Sequence, residues 1–92
     1  MSTRALERAW QLDERVALRR ERFGALAYHF GTRRLSFLKS RELLELVESL
    51  ERHPTARDAC ATIGISEADL PQYERALERL AATGMIQERR AA

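Results

Sequence analysis

Catalysis, metal binding and redox chemistry need nucleophiles, bases or ligands at workable spacing, and this chain carries few. It has one cysteine, Cys60, and two histidines, His29 and His53, with nothing resembling C-x-x-C or H-E-x-x-H. His29 reads as an exposed or interfacial strand residue rather than a base. His53, near a helix C-terminus, suits the helix dipole and needs no other role. A lone cysteine rules out an internal disulfide and fits a reducing cytosol; within "DACATIG", Cys60 reads as a small buried hydrophobe. Glu42, Glu45, Glu48, Glu51, Glu74 and Glu78 recur at three- and four-residue spacing with arginines nearby, which describes a solvated helix face. The four glycines are spread as turn and cap residues, so no phosphate-cradling loop is present. These residues point to a non-enzymatic protein without metal or cofactor.

What remains is basic and aromatic. In "AYHFGTRRLSFLKS" two arginines begin a strand and a lysine ends it. From Arg15 to Lys39 the charged residues are seven positive and one negative, although the whole chain carries only +2. An edge strand that accepts an extended peptide would use such residues to steer an acidic partner. An ordinary edge strand would use the same residues to block unwanted pairing. The residues by themselves leave both readings open.

The elements that position this stretch follow from length and periodicity. With 92 residues, 45% of them hydrophobic and 33% charged, the chain has room for one core. We expect a flexible arm over 1–9, a domain over 10–86 and a flexible tail over 87–92. No apolar run approaches the ~18 residues of a membrane span, and the start lacks the pattern of a secretory signal; a cytoplasmic location is expected. Trp10 and Leu12, then Val16 and Leu18, alternate as in a first strand or its edge. In "FGALAYHF" the larger residues Leu26, Tyr28 and Phe30 share one face. Gly31-Thr32 fits a two-residue type II′ turn, which sets Phe30 opposite Arg33, Tyr28 opposite Leu35 and Leu26 opposite Phe37. Leu26, Tyr28, Phe30, Leu35 and Phe37 then form one apolar face that helices must cover.

Three helices follow. Ser40 caps "RELLELVESLERH", and Pro54 ends it. Thr55 with Asp58 caps a short second helix closed by Gly64. The third begins near Asp69 with Pro71 in its first turn and ends at Gly84, its apolar stripe being Tyr73, Ala76, Leu77 and Leu80. The expected fold is α+β and winged-helix-like, a three-stranded antiparallel sheet followed by three helices. The last two helices also suggest a helix-turn-helix, and a DNA-binding regulator is the alternative function. Its candidate recognition helix and lead-in carry Glu67, Asp69, Glu74 and Glu78 against Arg75 and Arg79, a poor match for phosphate. The peptide reading places the visitor on the third strand, with the third helix as the pocket wall through Gln72, Tyr73, Ala76, Leu77 and Leu80.

"RVALRRERFGALAYHFGTRRLSFLKSRELLELVESL" and "ERALERLAATGMI" closely resemble the mycofactocin biosynthesis peptide chaperones, relatives of the PqqD-like proteins. The resemblance runs from about Trp10 to Ile86, and "FGALAYHFGTRRLSFLKS" is its most specific part. It implies a stand-alone recognition element for ribosomally made, modified peptides. Such an element binds an acidic precursor between its third strand and third helix. It presents that peptide to a radical S-adenosylmethionine maturase, which carries the iron–sulfur clusters. Carried onto this chain, the strand residues are Arg33, Arg34, Leu35, Ser36, Phe37 and Leu38, and the helix residues are Tyr73, Ala76, Leu77 and Leu80. Ser36 and Leu38 point away from Leu35 and Phe37, so the set that meets the peptide depends on which side the helix lies. No nucleic-acid or membrane partner is expected, and the chain is expected as a monomer or a weak or element-swapped dimer.

Overall fold

The computed structural model describes residues 4–89; the outermost parts of the expected arm and tail, 1–3 and 90–92, lie outside the described residues. A 3-10 turn at Ala5–Glu7 leads into β1 (Trp10–Leu12), β2 (Val16–Glu21), β3 (Gly24–His29) and β4 (Leu35–Leu38). The helices α1 (Arg41–Ser49), α2 (Ala56–Ile63) and α3 (Leu70–Ala82) follow, and β5 (Ile86–Glu88) closes the chain. β2, β3 and β4 form a three-stranded antiparallel sheet in that order, followed by the three helices.

The helix signals sit where the side chains demand. Ser40 Oγ accepts the Leu43 N–H at 3.0 Å, and Thr55 Oγ1 accepts the Asp58 N–H at 3.2 Å, so each helix start gains a partner for a donor its own turns cannot satisfy. Gly64 ends α2 in the left-handed region at φ 97°. α1 buries Leu43, Leu44, Leu46 and Val47, and α3 buries Leu70, Ala76, Leu77 and Leu80.

The hairpin register is the expected one, with Leu26 opposite Phe37 and Tyr28 opposite Leu35. The turn is not. His29 N–H donates to the Arg34 carbonyl at 2.9 Å, and Arg33 N–H donates to the His29 carbonyl at 2.7 Å, leaving a four-residue loop over 30–33. Its left-handed residue is Arg33 at φ 63°, not Gly31. Side-chain and long-range partners hold this wider loop. The Gly31 and Thr32 N–H groups donate to His29 Nδ1, both at 3.0 Å, and Phe30 N–H donates to the Arg15 carbonyl at 2.8 Å. Both turns are centred between residues 31 and 32, so the pairing beyond the loop is unchanged.

The sheet faces are reversed from expectation. The helices cover the face of Val16, Leu18, Ala25, Ala27, His29, Ser36 and Leu38, with Ala25, Ala27, His29 and Leu38 buried. Leu35, Phe37 and Phe30 face solvent instead. Small residues on the covered side let α1 approach β3 and β4, and the leucines of α1 and α3 supply the core volume. One close approach depends on Gly24, at φ 151°: a Cβ there would lie 2.1 Å from the Leu38 carbonyl oxygen.

The N-terminal segment expected as a loose arm is packed from Ala5 onward. Ala5, Leu6 and Trp10 are buried; Trp10 Nε1 donates to the Ala5 carbonyl at 2.8 Å, and Leu6 N–H donates to a Glu74 carboxylate oxygen at 3.2 Å. Trp10 and Leu12 do not extend the main sheet. β1 pairs instead with β5, Trp10 opposite Glu88 and Leu12 opposite Ile86. The chain therefore holds order past residue 86: Arg89 N–H donates to the Ala9 carbonyl at 2.9 Å, and its guanidinium reaches the Glu51 and His53 carbonyls.

Candidate functional site

Between β4 and α3 the surface opens into two adjoining cavities. One, of ≈ 200 Å³, is lined by residues including Ser36, Phe37, Leu43, Ala76, Leu80 and Thr83. The other, of ≈ 230 Å³, continues past Ser40, Gln72 and Tyr73. Lys39 and Arg79 line both, and neither makes an ion pair among the described residues. The result is a groove with an apolar floor and two uncommitted cations.

Strand geometry fixes which backbone groups border this groove. β4 pairs only with β3 among the described residues, so its other edge is unpaired. In an antiparallel ladder, alternate residues turn their N–H and C=O toward the partner. Arg34 shares a bond with His29, so Ser36 and Leu38, two and four residues on, also face β3. The outward N–H and C=O groups belong to Leu35 and Phe37. Side chains alternate at right angles to this pattern: Ser36 and Leu38 point to the helix side, Leu35 and Phe37 to the opposite face.

The expected site residues separate accordingly. Ser36, Phe37, Tyr73, Ala76 and Leu80 line the groove. Leu38 and Leu77 are fully buried in the core and do not line it. Leu35 stands on the far face of the sheet. Arg33 and Arg34 are exposed in and beside the hairpin loop, one end of the strand away. The expected α3 wall includes Gln72 but misses Arg79 and Thr83, although Gln72, Ala76, Arg79 and Thr83 follow helical spacing along one face. Leu43 is missed because it comes from α1. Lys39, recognised in the sequence as a steering charge, is a wall of the groove.

The buried ionisable groups away from the groove have structural roles. His29 is buried, contrary to the exposed or interfacial position expected from its place on a strand. Its Nδ1 accepts the two loop N–H groups, which leaves the ring proton on Nε2, 3.8 Å from Asp13 Oδ1. Asp13 is itself buried and accepts from the Arg15 side chain at 3.1 and 3.2 Å and from the Arg15 backbone at 2.8 Å. The Arg15 side-chain bonds, then its backbone bond, hold the Asp13 carboxyl below the ordinary value of 3.8. Burial pushes the Cys60 thiol up to about 11, so it stays protonated at neutral pH and packs as an apolar group.

Comparison with known proteins gives a consistent result. A family model described as "Peptide chaperone MftB family" matches residues 9–87. The peptide chaperone MftB of Mycobacterium ulcerans (strain Agy99) is 49% identical over 80 residues, covering 87% of this chain and 73% of its own. The protein of the same name from Mycobacterium tuberculosis (strain ATCC 25618 / H37Rv) is 48% identical over 80 residues, with the same shares of 87% and 73%. That from Mycolicibacterium smegmatis (strain ATCC 700084 / mc(2)155) is 47% identical over 78 residues, covering 85% and 76%. No solved structure gives a significant match. The matched span takes in every strand of the main sheet and all three helices, and on that basis the chain belongs to the Peptide chaperone MftB family, whose role is non-enzymatic.

Proposed function

We propose that this chaperone binds the leader of an acidic, ribosomally made precursor, the mycofactocin precursor by its family, as an added strand along β4. It then delivers the peptide to a radical S-adenosylmethionine maturase. The observation that carries the reading is the unpaired outer edge of β4, with the Leu35 and Phe37 backbone turned outward beside a groove. The visiting main chain bonds to that edge, alternate side chains enter the apolar floor at Ala76 and Leu80, and its carboxylates meet Lys39 and Arg79. Arg33 and Arg34 add to the long-range attraction and raise the association rate more than the affinity.

Holding one part of a flexible peptide beside the enzyme raises the effective concentration of the part to be modified. Ordering the leader costs about 2–5 kcal/mol of the gross interaction. The expected net affinity is micromolar or somewhat tighter, on the order of −8 to −10 kcal/mol.

The reading is tested by titrating precursor peptide into Phe37→Pro and Phe37→Ala variants. Proline removes an outward N–H and should weaken binding by about tenfold or more, while alanine keeps that N–H and most of the affinity. Proline binding as tightly as wild type contradicts strand addition. A tight shift of random DNA duplex by the wild-type chain would favour the regulator instead.

A further inference from the structure

All three phenylalanines of this chain stand in water. Phe23, Phe30 and Phe37 are 47%, 62% and 57% exposed, and Leu35 is 55% exposed. These four are the large exposed hydrophobics of the described residues, and they gather on the outer face of the main sheet. The pairing defines that face as two rows, Arg19–Leu26–Phe37 and Ala17–Tyr28–Leu35, with Phe23 at one end and Phe30 at the other. Phe23 meets Phe37 edge to face at 6.1 Å, and Tyr28 meets Phe30 the same way at 5.2 Å. The rings are therefore held by one another before any partner arrives.

Such a patch forgoes the roughly 25 cal/mol per Å² that burial would contribute, and contiguous patches of this kind mark contact surfaces. Its border identifies the occupant. Arg22 is exposed at the Phe23 end, and Arg33 and Arg34 at the Phe30 end. Arg19, with its side chain 82% exposed, lies in the patch itself, and Glu21 beside it is engaged by Arg19 at 2.9 Å. A second copy docking through the same face by two-fold symmetry would set these arginines against each other. A protein surface with an apolar centre and a carboxylate border complements them. The patch is also continuous with the groove, because Phe37 belongs to both.

We propose that the outer face of the β2–β3–β4 sheet is the docking surface for the enzyme that modifies the captured peptide, through an apolar patch on that enzyme bordered by Asp and Glu. The inference rests on the peptide-delivery reading above. β4 then serves two partners at once: its backbone edge and helix side hold the peptide, while Leu35 and Phe37 on its outer side meet the enzyme.

The test measures binding of the full chain to two probes separately, the precursor peptide and the radical S-adenosylmethionine maturase of the same organism. The variants are a Phe23→Ser/Phe30→Ser pair, neither residue lining the groove, and Arg19→Glu, which leaves every ring in place. The expected result is a loss of maturase affinity of about thirtyfold in the double variant and about tenfold in Arg19→Glu, with peptide affinity unchanged in both. Maturase affinity equal to wild type in Arg19→Glu and in a folded double variant overturns the inference, as does a wild-type chain that does not bind maturase. A wild-type dimer in sedimentation, or flotation with phosphatidylglycerol vesicles, that the variants abolish while maturase affinity holds also overturns it in favour of that occupant. Failure of the wild-type chain to bind the precursor counts instead against the peptide-delivery reading, because the maturase arm is measured without peptide.

Discussion

On its inner face the main sheet presents Val16, Ala25, Ala27, His29 and Leu38, and on its outer face Leu26, Tyr28, Leu35 and Phe37 with Phe23 and Phe30 at the ends. Fold stability is vested in the side with the smaller residues. The helix α1 packs on strands whose inward side chains are short, and fully buried leucines such as Leu44, Leu46, Leu50 and Leu77 supply the core volume from outside the sheet. The larger rings are left where they touch one another and solvent. Bulk on a strand therefore measures what that face can contact, and not which face is inside.

Mutations across the two faces should separate accordingly. Leu38→Ala removes a fully buried side chain and should destabilise by about 2–5 kcal/mol in urea unfolding. Phe37→Ala, the adjacent position on the other face, should remain within about 1 kcal/mol. Equal losses at the two positions would break the comparison. Ala27→Leu should also destabilise, by about 1–3 kcal/mol, because the covered face has no room for the added carbons. A neutral result there would show slack between sheet and helices.

The third and smallest effect concerns acid. Asp13 has a folded-state pKa below its ordinary 3.8, so the stabilisation from its bonds to Arg15 is fully present above that value and is lost as pH falls through the lower folded pKa. Asp13→Asn should cost about 1–2 kcal/mol at pH 7 and should flatten the fall in stability below pH ~4. A variant that keeps the wild-type acid slope would assign that slope to other carboxylates.

The helices were legible because their ends are written in local chemistry: Ser40 and Thr55 as caps, Pro71 in a first turn, Gly64 and Gly84 at the ends. The sheet register was legible for a related reason, since two turns of different length share one centre. Which face is covered was not, because both alternating sets, Ala25/Ala27/Leu38 and Leu26/Tyr28/Phe37, are apolar and period two cannot choose between them. The placement of Leu6, Trp10 and Leu12 depends on Glu74, Glu88 and Ile86, far along the chain, and a three-residue strand carries too little pattern to announce itself. In the groove, the α3 wall could be read from its spacing, whereas Leu43 arrives only through the packing of α1.

Amide hydrogen exchange along β4, read residue by residue with and without precursor peptide, tests strand addition most directly. In the free chain the Ser36 and Leu38 amides should already be protected by β3, and those of Leu35 and Phe37 should exchange fast. Saturating peptide should slow Leu35 and Phe37 by about tenfold or more, leaving the other two little changed. If Leu35 and Phe37 exchange as fast in the complex as in the free chain, the peptide does not extend this sheet.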